Sequence, residues 1–260
     1  YVLELSSFQL ETCQSLRPCA AAVLNITDDH LDRHEQFARY QQIKLSIYKQ
    51  AARKVVPRQA IFNTISADCS FGADVPASGH YGVSSDASGQ QWLVHGDHQI
   101  MHVNDIPLLG LSGQLNVLAA LALIAPYITD MAAAVSTIKA FSGLAHRCEV
   151  VSNTSNILWI NDSKATNIGA TIAALKGIDR TIILLLGGVH KGGSIADIVP
   201  IIKEKVRAVI VLGEAADMFA HALQHHIMVK QAASLTEGVS LAKQLALAGD
   251  AVLLSPACAS

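Results

Sequence analysis

Directly after an apolar run, residues 161–167 place Asp162, Ser163, Lys164, Thr166 and Asn167 ahead of a helix. A lysine there can hold an anion and a carboxylate can orient it, and in open α/β sheets ligands collect at this strand-to-helix junction. Capping the helix requires only one such residue. A second group is the glycine-rich segment 186–194, which carries Lys191. Glycines let backbone amides approach an anion and a helix N-terminus favours negative charge. The spacing matches neither the phosphate loop nor the dinucleotide fingerprint, and a plain glycine turn with a solvated lysine explains it equally well. In a third group, Ser255 can donate to a carboxylate, whereas Cys258, without a paired histidine, reads as a core thiol. The fourth comprises Glu4, His30 and Lys44. A carboxylate and an imidazole at strand ends can hold Mg²⁺ beside a phosphate, although Mg²⁺ prefers oxygen and keeps waters. The ordinary alternatives are a structural histidine and, for the acidic cluster 28–32, a helix cap.

The elements that must position these groups follow from periodicity. Two β-branched runs, 148–152 and 157–161, flank a turn-forming Asn-Thr-Ser-Asn and read as a hairpin. Beyond it the pattern is regular: strand 181–186, helix 194–205, strand 208–212, helix 214–224, strand 227–229, helix 234–248, strand 251–254. Apolar runs this continuous are buried strands, so this half is expected to be a doubly wound, mostly parallel sheet. Upstream, 1–5 reads as a strand, Ser6 opens a short helix, 20–26 is a second apolar run, 37–52 a helix and 54–57 a strand. Residues 63–90 read as irregular connection, and 92–95 with 99–103 as a surface hairpin whose His95, His98 and His102 face solvent. Two Ala-rich helices, 115–125 and 131–141, follow. Domains are expected at 1–143 and 144–260.

The 260 residues are 51% hydrophobic and 15% charged, as in a folded core-forming protein. A net charge of -2 gives no basic footprint for nucleic acid. The apolar stretch 117–128 contains Pro126 and reads as too short to cross a bilayer, and no secretory signal opens the chain. Five cysteines without metal spacing suit reduced thiols in the cytoplasm. The chain starts within a strand pattern and without a methionine, and it stops just after another strand, so a fragment of a longer protein is expected.

Five segments, 4–10, 25–33, 144–149, 161–167 and 254–260, resemble the Mur ligases in that family's order, and Asn-Asp-Ser-Lys-Ala-Thr-Asn at 161–167 is the most specific of them. The resemblance implies a partial central ATPase-like domain, lacking its phosphate loop, and a Rossmann-like C-terminal domain that binds the amino acid. It implies an ATP-dependent amide ligase of peptidoglycan precursor synthesis, adding D-glutamate to UDP-N-acetylmuramoyl-L-alanine through an acyl phosphate. By the same resemblance Glu4, His30 and Lys44 form the catalytic and Mg²⁺ site, with Lys44 carbamylated. Asn116, Arg147 and Asp162 contact ATP, and Ser6, Lys164, Thr166, Lys191 and Ser255 contact substrates. The family's second asparagine near Asn116 is Ala119 here. The protein is expected to be a cytoplasmic monomer without nucleic-acid partners or membrane insertion, and this chain alone is expected to be inactive. The alternatives are another ligase of the superfamily, such as a folylpolyglutamate synthase, and a non-catalytic nucleotide-binding module in which Lys44 has no role.

Overall fold

Short strands pair into two separate sheets, one in each of two units, Tyr1–Ser142 and Gly143–Ser260. The computed structural model describes every residue except Asp28, Lys191, Gly192 and Ser260, together with all side chains but those of Leu31 and Asp32.

The first unit runs α1 (Ser7–Thr12), β1 (Ala21–Ala22), α2 (Leu31–His34), α3 (Phe37–Leu45), β2 (Lys54–Pro57), β3 (Cys69–Phe71), β4 (Tyr81–Ser85), β5 (Gln91–His95), β6 (His98–His102), α4 (Gly110–Ile124) and α5 (Met131–Ala140). The strands lie in the order β1-β2-β3-β4-β5-β6, the first four parallel and the last three an antiparallel meander. Alternation along β2 sends Val55 into a core with Phe71, Leu93, Leu118 and Leu121, and Val56 into a second core with Tyr40, Tyr48 and Phe62.

Several expectations change here. Residues 1–5 form no strand, because a strand exists only where a ladder partner does, and Tyr1, Val2 and Leu3 are exposed. The stretch 63–90 contains β3 and β4, too short and too closely punctuated to show periodicity. The β5–β6 hairpin packs inward through Leu93, Val94 and Met101, and His95 stacks on Tyr81 while His102 meets the edge of Trp92. Of the three histidines only His98 is exposed. Helix α4 begins five residues before the expected start, at Gly110. Gly113 is needed there, since a Cβ at that position would sit 2.7 Å from the Leu108 side chain. The helical segment continues to Tyr127, 18 residues long, so by length and composition it could cross a membrane, unlike the shorter stretch read from sequence. Its Val117, Leu118, Ala119, Leu121 and Ala122 are instead buried in the core of the first unit.

The second unit runs β7 (Glu149–Thr154), β8 (Ile157–Asn161), α6 (Ile168–Gly177), β9 (Ile182–Gly187), α7 (Val199–Lys205), β10 (Val206–Leu212), α8 (Ala216–Leu223), β11 (Met228–Gln231), α9 (Leu235–Leu245) and β12 (Ala251–Leu254). The order is β11-β10-β9-β12-β8-β7, parallel throughout except for β7 at one edge. In β9, Ile182 to Leu186 are at most 1% exposed, as expected of a central parallel strand covered on both faces. The β7–β8 turn is tight because Ser155 (φ 55) and Asn156 (φ 58) both adopt left-handed backbone, the hairpin-compatible geometry. The helix expected at 194–205 is broken into a 3₁₀ turn, Ile195–Ile198, and α7, whose first turn holds Pro200.

Candidate ligand-binding edge

In the second unit the loops after β8, β9 and β12 emerge side by side, because these strands are sheet neighbours and parallel. Backbone bonds stitch the loops together: Gly187 N to Pro256 O at 3.0 Å, Ala257 N to Ala165 O at 3.0 Å, and Val189 N to Ala259 O at 2.7 Å. Close approach explains the glycines. A Cβ on Gly187 would collide with the Leu212 carbonyl and one on Gly188 with that of Ala259, and their φ values are 130° and 139°. These two glycines therefore serve backbone packing. Lys191, the expected anion contact of this loop, lies outside the described residues.

On the β8 loop, Asn167 is the helix cap, its Oδ1 accepting from Ala170 N at 2.8 Å. Lys164 is exposed and Thr166 half-buried, so an ammonium and a hydroxyl stand at this edge. Asp162 and Ser255, two further expected contacts on these loops, are bonded to one another. Asp162 is 7% exposed and Ser255 0%, and the Ser255 hydroxyl donates to Asp162 Oδ2 at 2.9 Å. Asp162 Oδ1 accepts from Cys148 N at 3.1 Å. Thr171, inside α6 and fully buried, donates to the Ser255 carbonyl at 3.3 Å. Nothing in its apolar helical setting marked Thr171 beforehand. Burial holds the Asp162 carboxyl above the usual carboxylate range, against the opposing pull of Ser255, Cys148 and Arg147. Burial also pushes the Cys258 thiol up to about 11, which keeps it a neutral thiol at physiological pH. Arg147, just ahead of β7, is exposed.

In the first unit Ser6 caps α1: its hydroxyl accepts from Gln9 N at 3.2 Å while Gln9 Oε1 accepts from Ser6 N at 2.8 Å. His30 has a left-handed backbone (φ 53) and its ring packs 5.0 Å from that of Phe8. Four residues on, His34 is fully buried, bonded to Ser7 Oγ at 2.9 Å and stacked on Phe8. Neither Ser7 nor His34 was singled out from sequence. Glu4 is exposed, Lys44 half-buried in the last turn of α3, and Asn116 exposed on α4. Among the described residues no three His, Cys, Asp or Glu side chains converge to hold a metal. One carboxylate and one imidazole open to solvent fit Mg²⁺, which keeps waters and takes phosphate oxygens, better than a cation caged by protein alone. A cavity of about 490 Å³ beside α1 and α3, lined by Leu10, Glu11, Arg39, Ile43 and Lys49 among others, contains none of the candidate residues.

Fold and edge together define an α/β protein of two sheets, the second doubly wound with a polar rim of loops after neighbouring parallel strands. Residues 1–124 match the Mur ligase middle domain and residues 146–258 the Mur ligase glutamate ligase domain, and the chain belongs to the Mur ligase family. Over its full length it is 40% identical to the UDP-N-acetylmuramoylalanine--D-glutamate ligase of Legionella pneumophila (strain Paris) and covers 60% of that protein. It is 42% identical to the ligase of the same name from Colwellia psychrerythraea, covering 56% of it. The chain thus spans 60% or less of the length of these relatives. Among solved structures, UDP-N-acetylmuramate-alanine ligase MurC from Thermotoga maritima superposes with a TM-score of 0.69 at 17% identity, over 96% of this chain and 58% of that one. Mycobacterium tuberculosis folylpolyglutamate synthase gives 0.65 at 17% identity, over 92% and 61%. At that identity both report a shared fold.

Proposed function

We propose that this chain forms the central and C-terminal parts of an ATP-dependent ligase that joins D-glutamate to UDP-N-acetylmuramoyl-L-alanine in peptidoglycan precursor synthesis. The reading rests on one observation above all: three loops after adjacent parallel strands are bonded into a single edge that carries Lys164 and Thr166. The two full-length-of-chain relatives named above, both D-glutamate ligases, support it. Residues 1–143 take the nucleotide and 144–260 the amino acid.

The reaction passes through an acyl phosphate, attacked by the D-glutamate amine, and its charge-dense steps need fixed positive groups. Lys164, with Lys191, binds the amino acid's carboxylates, and Thr166 donates to them. Ser255 serves that pocket indirectly, as the buried donor that holds Asp162. Asn116 and Arg147 contact the nucleotide, and Ser6 contributes at the acceptor substrate. Glu4 and His30 would hold Mg²⁺, which when bound neutralises phosphate charge. Lys44 joins them in carbamylated form, which turns a cation into an anion that can serve the metal site. The protein works as a cytoplasmic monomer that does not enter the membrane.

The test is phosphate release by the intact protein with ATP, Mg²⁺ and UDP-N-acetylmuramoyl-L-alanine. Release that depends on D-glutamate is expected. Release with L-glutamate and a folate acceptor instead would move the protein to folylpolyglutamate synthesis, and nucleotide binding without any release would make it a non-catalytic module.

A further inference from the structure

Phe8 stands between two histidines that lie one helical turn apart. Its ring is 5.0 Å from that of His30, tilted by 58°, and 5.4 Å from that of His34, stacked at 18°. Phe8 is 41% exposed, so burial holds it only in part, and these two imidazoles are its ring contacts among the described residues. Of the two, only His34 is itself enclosed.

His34 is 0% exposed. The buried Ser7, next to Phe8 on α1, is hydrogen-bonded through its Oγ to His34 Nε2 at 2.9 Å, and the buried Tyr40 ring lies 5.4 Å from the imidazole. Two successive residues of α1 thus grip one ring, Ser7 at its edge and Phe8 on its face. The backbone closes the arrangement, since Arg33 N and His34 N both donate to His30 O at 3.0 Å. His30 opens that turn with a left-handed φ of 53°, and its side chain remains 40% exposed. His34 Nδ1, in contrast, is buried with no hydrogen-bond partner among the described residues. A buried ring nitrogen left unpaired costs stability that an apolar side chain of similar size would not. An imidazole held at that cost, one ring away from an open imidazole, fits a part in placing its neighbour.

We propose that His34, anchored on Ser7, is a positioning residue that acts through the Phe8 ring to fix the direction of the His30 imidazole. This rests on the reading of His30 as part of the Mg²⁺ and phosphate site and deepens it. His34 itself is too buried to touch a ligand.

The experiment uses the intact ligase. The mobility of the His30 ring is read without metal or nucleotide, by ¹³C relaxation in protein labelled in its histidine rings, with the His30 signal assigned by its absence from His30→Gln. Ligation kinetics and thermal unfolding accompany it. The decisive variant combines Ser7→Ala with His34→Leu, which replaces both hydrogen-bonding partners by apolar groups and removes the unpaired nitrogen. It is expected to unfold at or above the temperature of the unaltered protein and yet to loosen the His30 ring. Its kcat should fall about tenfold, with the KM values for ATP and D-glutamate within about twofold. A residue that only fills the core would show the reverse, a shifted unfolding temperature with kcat and the His30 ring unmoved. Phe8→Ala, which removes an exposed ring and spares the core, should loosen His30 and lower kcat alike, and it covers the case of a double variant that folds poorly. A His30 ring as rigid as before, or an unchanged kcat, in either folded variant overturns the role of His34. Should His30→Gln itself ligate at the full rate, the reading of His30 falls and the positioning role with it; a slow His30→Gln beside an unmoved ring strikes the positioning role alone.

Discussion

Ser255 donates its hydroxyl to Asp162 across 2.9 Å, and both side chains are buried at the carboxyl ends of neighbouring strands. The bond ties the end of β12 to the end of β8, with Thr171 of α6 bonded to the Ser255 carbonyl behind it. The loop ends thus rest on a buried polar cluster.

This pair fixes a pH dependence. The Asp162 carboxyl is raised above its ordinary value by burial. A group raised in the folded state contributes stability that is complete below its unfolded pKa, about 3.9, and is lost as pH rises through the folded value. From pH ~4 upward the second unit should therefore lose stability on this account. Denaturant midpoints taken at steps from pH 4 to neutrality should fall less steeply in Asp162→Asn than in the unaltered protein. Identical slopes would mean that Asp162 ionises as freely in the fold as outside it. Ser255→Ala should cost about 1–3 kcal/mol, since the buried Asp162 carboxyl group loses a hydrogen-bond partner it cannot replace from water.

The glycines of the β9 loop offer a second test. Gly188→Ala places a Cβ against the Ala259 carbonyl in addition to its strained φ, whereas Gly249→Ala has φ 97 and open space around it. Strain alone is worth about 1–3 kcal/mol, so Gly249→Ala should stay within that range and Gly188→Ala should exceed it. Equal losses in chemical denaturation would show that the 187–189 and 257–259 loops separate easily.

Local signals made much of this architecture legible. The unbroken Ile182–Leu186 run, the Asn167 cap and the Ser155-Asn156 turn each depend on residues close in sequence. What escaped was settled by distant partners. β3 is three residues long and owes its existence to β2 and β4 on either side. Tyr1 to Leu5 has strand composition but no ladder. Ser255 was recognisable as a polar residue at a strand end, yet whether its hydroxyl faces ligand or Asp162 depends on a residue 93 positions away.

Thiol reactivity should separate the cysteines. Burial pushes Cys148 up to about 12 and Cys258 up to about 11, while Cys13 and Cys19 are exposed. Alkylation proceeds through the thiolate, so brief iodoacetamide treatment of the native protein near pH 7.5 should label Cys13 and Cys19 well ahead of the other two. Peptide mass spectrometry reads this directly, and early labelling of Cys258 would remove the argument that it is an inert core thiol.

Lys164 carries the sharpest functional expectation. Its side chain is exposed at the edge, its backbone is pinned by the bond from Lys164 N to His146 O, and it follows the buried Asp162 by two residues. A point charge so placed acts on the amino acid and not on the nucleotide if the proposed division of labour is right. Lys164→Ala should therefore raise the KM for D-glutamate by roughly tenfold to a hundredfold, as expected for a lost charged hydrogen bond, with the KM for ATP almost unmoved. Lys164→Arg keeps the charge but changes its reach and geometry, so partial recovery is expected. Were Lys164→Ala to raise the ATP constant instead, the lysine would belong with Arg147 on the nucleotide, and the amino-acid pocket would have to be sought elsewhere on the second unit.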